Sequence, residues 1–594
     1  MKKIFFILLA GICFSNVYSQ DTDGDGAGLN REILLEREYN PTILDAVKIS
    51  RLPGLHEPQT SSSKVEFSDY ATPFGFIPSP SYMKQLLWLQ DLHVSKYRGY
   101  ITGGLSNLFD VDANAGYQVF NNSTDYLDFY LLHGSSNSKR TFLQGKDLSQ
   151  KFRIADVTGG MNYRHSFSKT QLNLDAKYTY STYNFSQLRK EIVFDPNLYS
   201  TFATQAGYMT DSAYSFTPKN NLFEAGAGVS SIKPDNFSYY VNLRYSFFGQ
   251  NRDLKNSVPL INENRIVLDW NLRKTVSSSS ALGLSGSFRN LLYFLSNEFA
   301  YANNDLRKFS VVLLNPYYYI EGDDFNLKLG VVFDFEYVWF RGNIMAPAVE
   351  FNWNLREKVH LYAMTEGGHQ DNSKYGMFYE NRYASAIHRI RDSRSPLDAT
   401  LGLKLLPLPE LKINLFTGYK IIEDEHYFIQ HNYIPDIYHY YSETMYNDEF
   451  RFKTGGEIKY MFADNFEFDL KAIYYKRKLR YNAENNLIPS QKPKMEASAN
   501  IGYKLHGLPL RFDFSYRGFY GRRANECFEI PNGLFFEQVK MKDIHDASLK
   551  STYTFKPNFS AYLTINNLLF QQYEIWYGYP VQTFNIMAGV SFMF

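Results

Sequence analysis

What this 594-residue sequence lacks narrows it quickly. Beyond the first twenty positions no apolar run approaches the about 20 residues that a membrane-crossing helix needs, which excludes a helical membrane protein. Cysteine is nearly absent: Cys13 falls in the N-terminal leader, and only Cys527 follows. An internal disulfide is therefore not expected, and the fold must be held by its own hydrogen bonding. No charge prevails, with 62 Lys and Arg against 61 Asp and Glu, so the global field that nucleic-acid binding would use is missing. Catalytic signatures are missing as well. With no G-x-S-x-G elbow, H-E-x-x-H pair or phosphate-binding glycine loop, neither an enzyme nor a cofactor is expected.

Aromatics, by contrast, are in excess, with 48 Tyr and 49 Phe. The first residues read as a secretory leader over 1–19. Lys2 and Lys3 form the charged start, Ile4 to Ile12 the apolar stretch, and Val17-Tyr18-Ser19 the small-residue cleavage site before Gln20. Residues 20–95 differ from everything after them. Asp21, Asp23, Asp25 and Glu32 fit the spacing of a calcium-binding loop, but Gly28 stands where such loops carry an apolar residue and no helix precedes them. A flexible acidic leader is the preferred reading. Prolines 53, 58, 73, 78 and 80 then punctuate an extended tether, and Tyr82 to His93 is expected as a helix.

From about Tyr97 the period becomes two. At the C-terminus Phe584, Ile586, Ala588, Val590, Phe592 and Phe594 fall on one face, opposite Asn585, Met587, Gly589, Ser591 and Met593. The same alternation marks Phe325 to Glu336, Phe466 to Ala472, Leu510 to Arg517 and Phe559 to Asn566. A strand running to the last residue needs neighbours on both edges, which in a membrane only closure of the sheet can supply. Short turns at 121–124, 167–169, 233–236, 277–279, 321–324, 355–358, 407–410, 463–465, 506–509 and 556–558 alternate with connections that are mostly longer, such as 134–152, 184–219, 370–396, 424–447 and 520–542. Tight turns on one side and loops on the other are the pattern of an outer-membrane barrel. Two strands per short turn and one at each end predict an all-β, antiparallel transmembrane barrel of about 22 strands over 96–594.

The last fifty residues add a resemblance. Asn566-Asn567-Leu568, Gln572-Tyr573-Glu574, Trp576-Tyr577-Gly578-Tyr579-Pro580 and Gly589-Val590-Ser591-Phe592-Met593-Phe594 resemble the closing hairpins of TonB-dependent receptor barrels. That resemblance implies a transport barrel of 22 strands. Those receptors carry a folded plug and a TonB box. Residues 20–95 show neither a glycine-rich plug pattern nor such a box, so TonB coupling is not expected. A wide barrel needs filling, and residues 20–95, inward-folded loops or a partner are the three candidates.

Two functions follow as expectations: a transport or channel barrel without its own energised plug, or a structural component of a multi-protein outer-membrane complex. The partners would be membrane lipid and, in the second case, lipoproteins. Candidate ligand or partner residues lie in two loops. The first, 424–447, carries His426, His431, His439, Tyr440 and Tyr441 and reads as an external cap packed by its own aromatics, with a metal site or sugar platform as alternatives. The second, 370–396, carries His388, Arg389, Arg391 and Arg394, an anion patch or a solvated basic loop. Trp339, Trp353 and Trp576 read as interfacial girdle residues.

Overall fold

The structure, a computed structural model, describes residues 97–594 except 123, 146, 192–206, 211–216, 233–235, 252–260, 296–308, 338–342, 385–389, 433–441, 463–464, 481–486 and 531–532. The leader, the calcium-type loop, the proline-rich tether and the helix expected at 82–93 lie outside the described residues.

Twenty-four described strands join one sheet. Two of them, Arg523–Ile530 and Gly533–Lys540, form a hairpin off the rim, which leaves 22 in the wall. Each wall strand pairs antiparallel with the next. The first, Gly99–Ser106, zips onto the last, Asn585–Met593, with Ile101 opposite Phe592 and Gly104 opposite Gly589. The sheet is closed, so its wall has no free edge for lipid to meet. All ten expected short turns fall between consecutive strands.

The alternation of the sequence is inverted relative to a soluble sandwich. Ile101, Leu329, Leu401, Leu415, Val590 and Phe592 are among the most exposed apolar residues, and they stand on the outer face. Residues in the opposite phase, such as Asp128 beside exposed Phe129 and Ser591 between Val590 and Phe592, are buried towards the lumen. Charges inside find partners there: Lys177 with Glu224, and Lys459 with Glu457 at 2.9 Å and Asp469 at 3.6 Å.

Inward tyrosines lie over glycines of adjacent strands, and the barrel seam depends on one such joint. The Tyr562 ring covers both Gly104 and Gly589, and a Cβ at 589 would overlap that ring and come within 2.6 Å of the Gly103 carbonyl oxygen. Two faces of crowding leave no room to yield. Gly589→Val is therefore expected to stop the seam from zipping, seen as loss of the fast-migrating folded band in unheated electrophoresis. An unchanged folded fraction would contradict this.

Strand lengths are uneven. Those at the seam have eight or nine residues, close to the about 9–11 that cross a bilayer. Leu411–Asn432 and Ser442–Phe462 have 22 and 21 and must stand well above it. This corrects three expected loops. Most of 134–152, 424–447 and 520–542 is strand, leaving short described or undescribed tips. Above the membrane a strand has no lipid face, so the apolar-polar alternation that marks it in the sequence fades.

Candidate functional site

Two extracellular connections turn inward over the mouth. The first, 371–392, contains the helix Lys374–Glu380, started by the Ser373 hydroxyl accepting from the Gly376 amide at 2.9 Å. The second, 567–584, is the stretch that carried the family resemblance. They meet in a core with Tyr383 stacked on Tyr579 (centroids 3.6 Å apart) and Trp576 edge-on to Phe428 (5.1 Å). Phe152 and Phe428 belong to this same buried cluster, yet they sit on the fourth and fifteenth wall strands, half the circumference apart. The cluster therefore spans the mouth. Inward-folded loops, one of the three expected fillings, close the outer end.

Trp576 corrects an expectation. It is buried at the centre of this cap rather than set in an interfacial girdle, because its loop points into the barrel. Trp353 is exposed on the outer face near a short turn, where a girdle residue belongs, and Trp339 lies outside the described residues.

Ion pairs tie the helical loop to the wall on several sides. Asp371 meets Arg265 at 2.7 Å and Arg289 at 3.1 Å, and Arg382 meets Asp156 at 3.1 Å. Glu380 bridges His426 (2.6 Å) and Lys492 (2.7 Å) from the far side. Burial raises the affinity of both acids for a proton, but the cations outweigh it. Lys492 and His426 hold Glu380, and Arg289 and Arg265 hold Asp371, well below the usual carboxylate range.

The second loop is held by two arginines with almost no exposed surface. Arg522 donates to the Glu574 carbonyl at 2.7 Å and to the Ile575 carbonyl, while Arg140 donates to the Pro580 carbonyl at 3.1 Å. The Glu574 carboxylate accepts from Gln144 (2.8 Å) and from the Gly578 amide (3.1 Å), Gly578 having φ +78°. Tyr577 donates to Glu526. Burial pushes Glu574 up to about 7 and pulls Arg522 down to about 10, so the arginine stays charged at neutral pH.

Solved structures of similar fold are outer-membrane receptors and transporters. The FrpB iron transporter from Neisseria meningitidis (F3-3 variant) aligns over 84% of this chain and 82% of its own, with TM-score 0.61 and 11% identity. The ferripyoverdine receptor of Pseudomonas aeruginosa aligns over 84% and 72%, with TM-score 0.57 and 12% identity. The ferric-catecholate import receptor Fiu from E. coli K12 aligns over 84% and 82%, with TM-score 0.57 and 11% identity. The fold is a closed 22-strand barrel like that of these outer-membrane receptors and transporters. No family model and no curated protein matches the sequence, so the likeness to this receptor-type barrel is one of architecture.

Within that barrel the expected site residues separate. His426 is buried on the tall strand Leu411–Asn432 and committed to Glu380, which removes it from an exposed loop. His431 sits on the same strand, its backbone paired in parallel with Cys527. Arg391 is half-buried between Asp424 (3.7 Å) and the Tyr446 ring, and Arg394 meets Glu423 at 3.3 Å. These two are wall-bound rather than a free basic patch. Asp21, Asp23, Asp25, Glu32, His388, Arg389, His439, Tyr440 and Tyr441 lie outside the described residues. The residues that build the cap were not singled out from the sequence: Arg140, Asp371, Glu380, Arg522 and Glu574. Only Glu574 left a signal, since it stands inside the receptor-like run.

Proposed function

We propose that this protein is a transport-type barrel of the outer membrane that works without an energised plug of its own, and that its inward-folded loops are the outer gate. The observation that carries this reading is the cap core, in which side chains from opposite sides of the wall meet around Tyr383, Trp576 and Tyr579. A closed mouth above a wall of paired lumenal charges suits a path that opens for cargo and otherwise stays shut. The receptor-like architecture supports transport, and the readings of residues 20–95 support operation without TonB.

The tightness of the same cap favours a second reading, a sealed barrel serving as a structural component among lipoprotein partners. Single-channel conductance in a planar bilayer separates the two. The full chain is compared with a deletion of residues 21–80, a shortened 374–380 loop, and both changes together. Transport predicts a low resting current that rises when the loop is shortened, alone or with the N-terminal deletion. A barrel silent in all four forms, yet folded, would sink the transport reading.

A further inference from the structure

The outer wall carries a second built feature, away from the lumen. Where Leu510–Tyr520 and Ile544–Lys556 reach the extracellular rim, Lys542, His545, Leu569, Phe570, Gln571 and Gln572 line an open cleft of about 470 Å³. Its floor is fixed by Gln571, whose amide oxygen accepts from the His545 backbone (2.6 Å) and whose amide nitrogen donates to the Asp543 carbonyl (2.8 Å). Asn567 and Phe570 both adopt positive φ, +50° and +52°, a conformation that costs about 1 kcal/mol or more for such residues. The result of that strain is to turn Phe570 outward, 66% exposed and stacked on Phe584 at 4.4 Å. Below the cleft the outward Tyr516 hydroxyl bonds Tyr520 (2.6 Å) and His545 Nδ1 (2.8 Å), and the exposed face continues down through Leu563 and Phe592.

Several cations lie near the cleft. The stem of Lys494 lies against Gly521, whose amide donates to Asp543 at 2.8 Å. Arg523 and Lys540 face each other across the adjoining hairpin, and Lys542 follows directly. Lys494, Arg523, Lys540 and Lys542 form no ion pair among the described residues, and the carboxylate of Asp543, next to Lys542, is engaged by the Gly521 amide. Lys542 in the cleft beside exposed Leu569 and Phe570, with Lys494, Arg523 and Lys540 on the adjoining segments, matches an amphiphile with phosphate at its head and acyl chains below. We propose that this rim cleft seats the phosphorylated headgroup of an anionic lipid of the outer leaflet, with its acyl chains along Leu569, Phe570 and the wall beneath.

The test places the full chain in nanodiscs of phosphatidylcholine with or without lipid A and reads thermal unfolding together with lipid retained in native mass spectrometry. The expected result is a higher Tm and retained lipid A, both lost in Lys494→Glu/Lys542→Glu and reduced in Phe570→Ala. Lys139→Glu/Lys151→Glu, two exposed rim residues elsewhere, should keep both. An unheated electrophoresis shift checks that every variant is folded. Equal stabilisation of the double variant would overturn the proposal. So would an equal shift from inorganic phosphate in plain phosphatidylcholine, which would assign the cleft to a soluble anion.

Discussion

Arg522→Ala is expected to free the last extracellular loop from the wall while leaving the barrel closed. The side chain is wholly buried and makes two charge-assisted hydrogen bonds to the consecutive carbonyls of Glu574 and Ile575. Each bond of this kind contributes about 1.5–3 kcal/mol, and truncation leaves both carbonyls dry and unpaired. The local cost is then on the order of 3–5 kcal/mol, enough to raise the open population by about a hundredfold or more. Hydrogen exchange of amides 572–579 should accelerate accordingly, while wall amides and the folded electrophoretic band stay as they were. Arg522→Lys should recover only part of the loss, because an ammonium cannot present a planar fork to two neighbouring oxygens. Wild-type exchange in the alanine variant would remove Arg522 from its role as the loop's anchor.

The same loop is expected to loosen as pH rises. Glu574 is buried among Gln144, Gly578, Arg522 and Tyr573, with Asp543 beyond the arginine, and desolvation lifts its proton affinity from 4.5 to about 7. The capped state therefore holds this proton more tightly than the uncapped state does. Cap stability is full below pH 4.5, declines from there to pH 7, and is constant again above it. The whole span corresponds to about 3 kcal/mol at one pKa unit per 1.36 kcal/mol. Exchange of the 572–579 amides, corrected for intrinsic chemistry, should thus speed up between pH 5 and 7 and then level off. Glu574→Gln, which carries the neutral form at every pH, should flatten that dependence. A variant as pH-sensitive as the parent would assign the effect to another group.

The wall was legible because lipid outside and water inside impose opposite demands on alternate residues. That is why Val590 and Phe592 could be assigned to one face and Ser591 to the other, and why each Asn-, Asp- or Pro-rich break marked a true turn. The cap was not legible, for two physical reasons. Its strands leave the membrane, so the alternation that identifies them stops, and His426 read as part of a loop although it lies mid-strand. Its burial also comes from neighbours far along the chain: nothing local to Trp576 or Arg522 says that Phe428 or Ile575 will cover it. Three histidines close in sequence were a misleading signal, since His426 is spent on a carboxylate of another loop and His431 lies within the same tall strand.

The bonds that hold the cap carry information about folding. Arg140 and Pro580 are 440 residues apart, and the Gln582 amide donates to Asp110 across 472. Loop closure over such distances is entropically costly and slow when taken alone, and contacts of this kind form after others have brought their ends together. Only the zipping of Gly99–Ser106 onto Asn585–Met593 brings these partners near, so the cap is expected to assemble last. A chain whose mouth is sealed has already put its entire circumference in register. The sealed mouth is therefore also a record of correct assembly, and a barrel that misregisters at any strand would present itself with its outer end open.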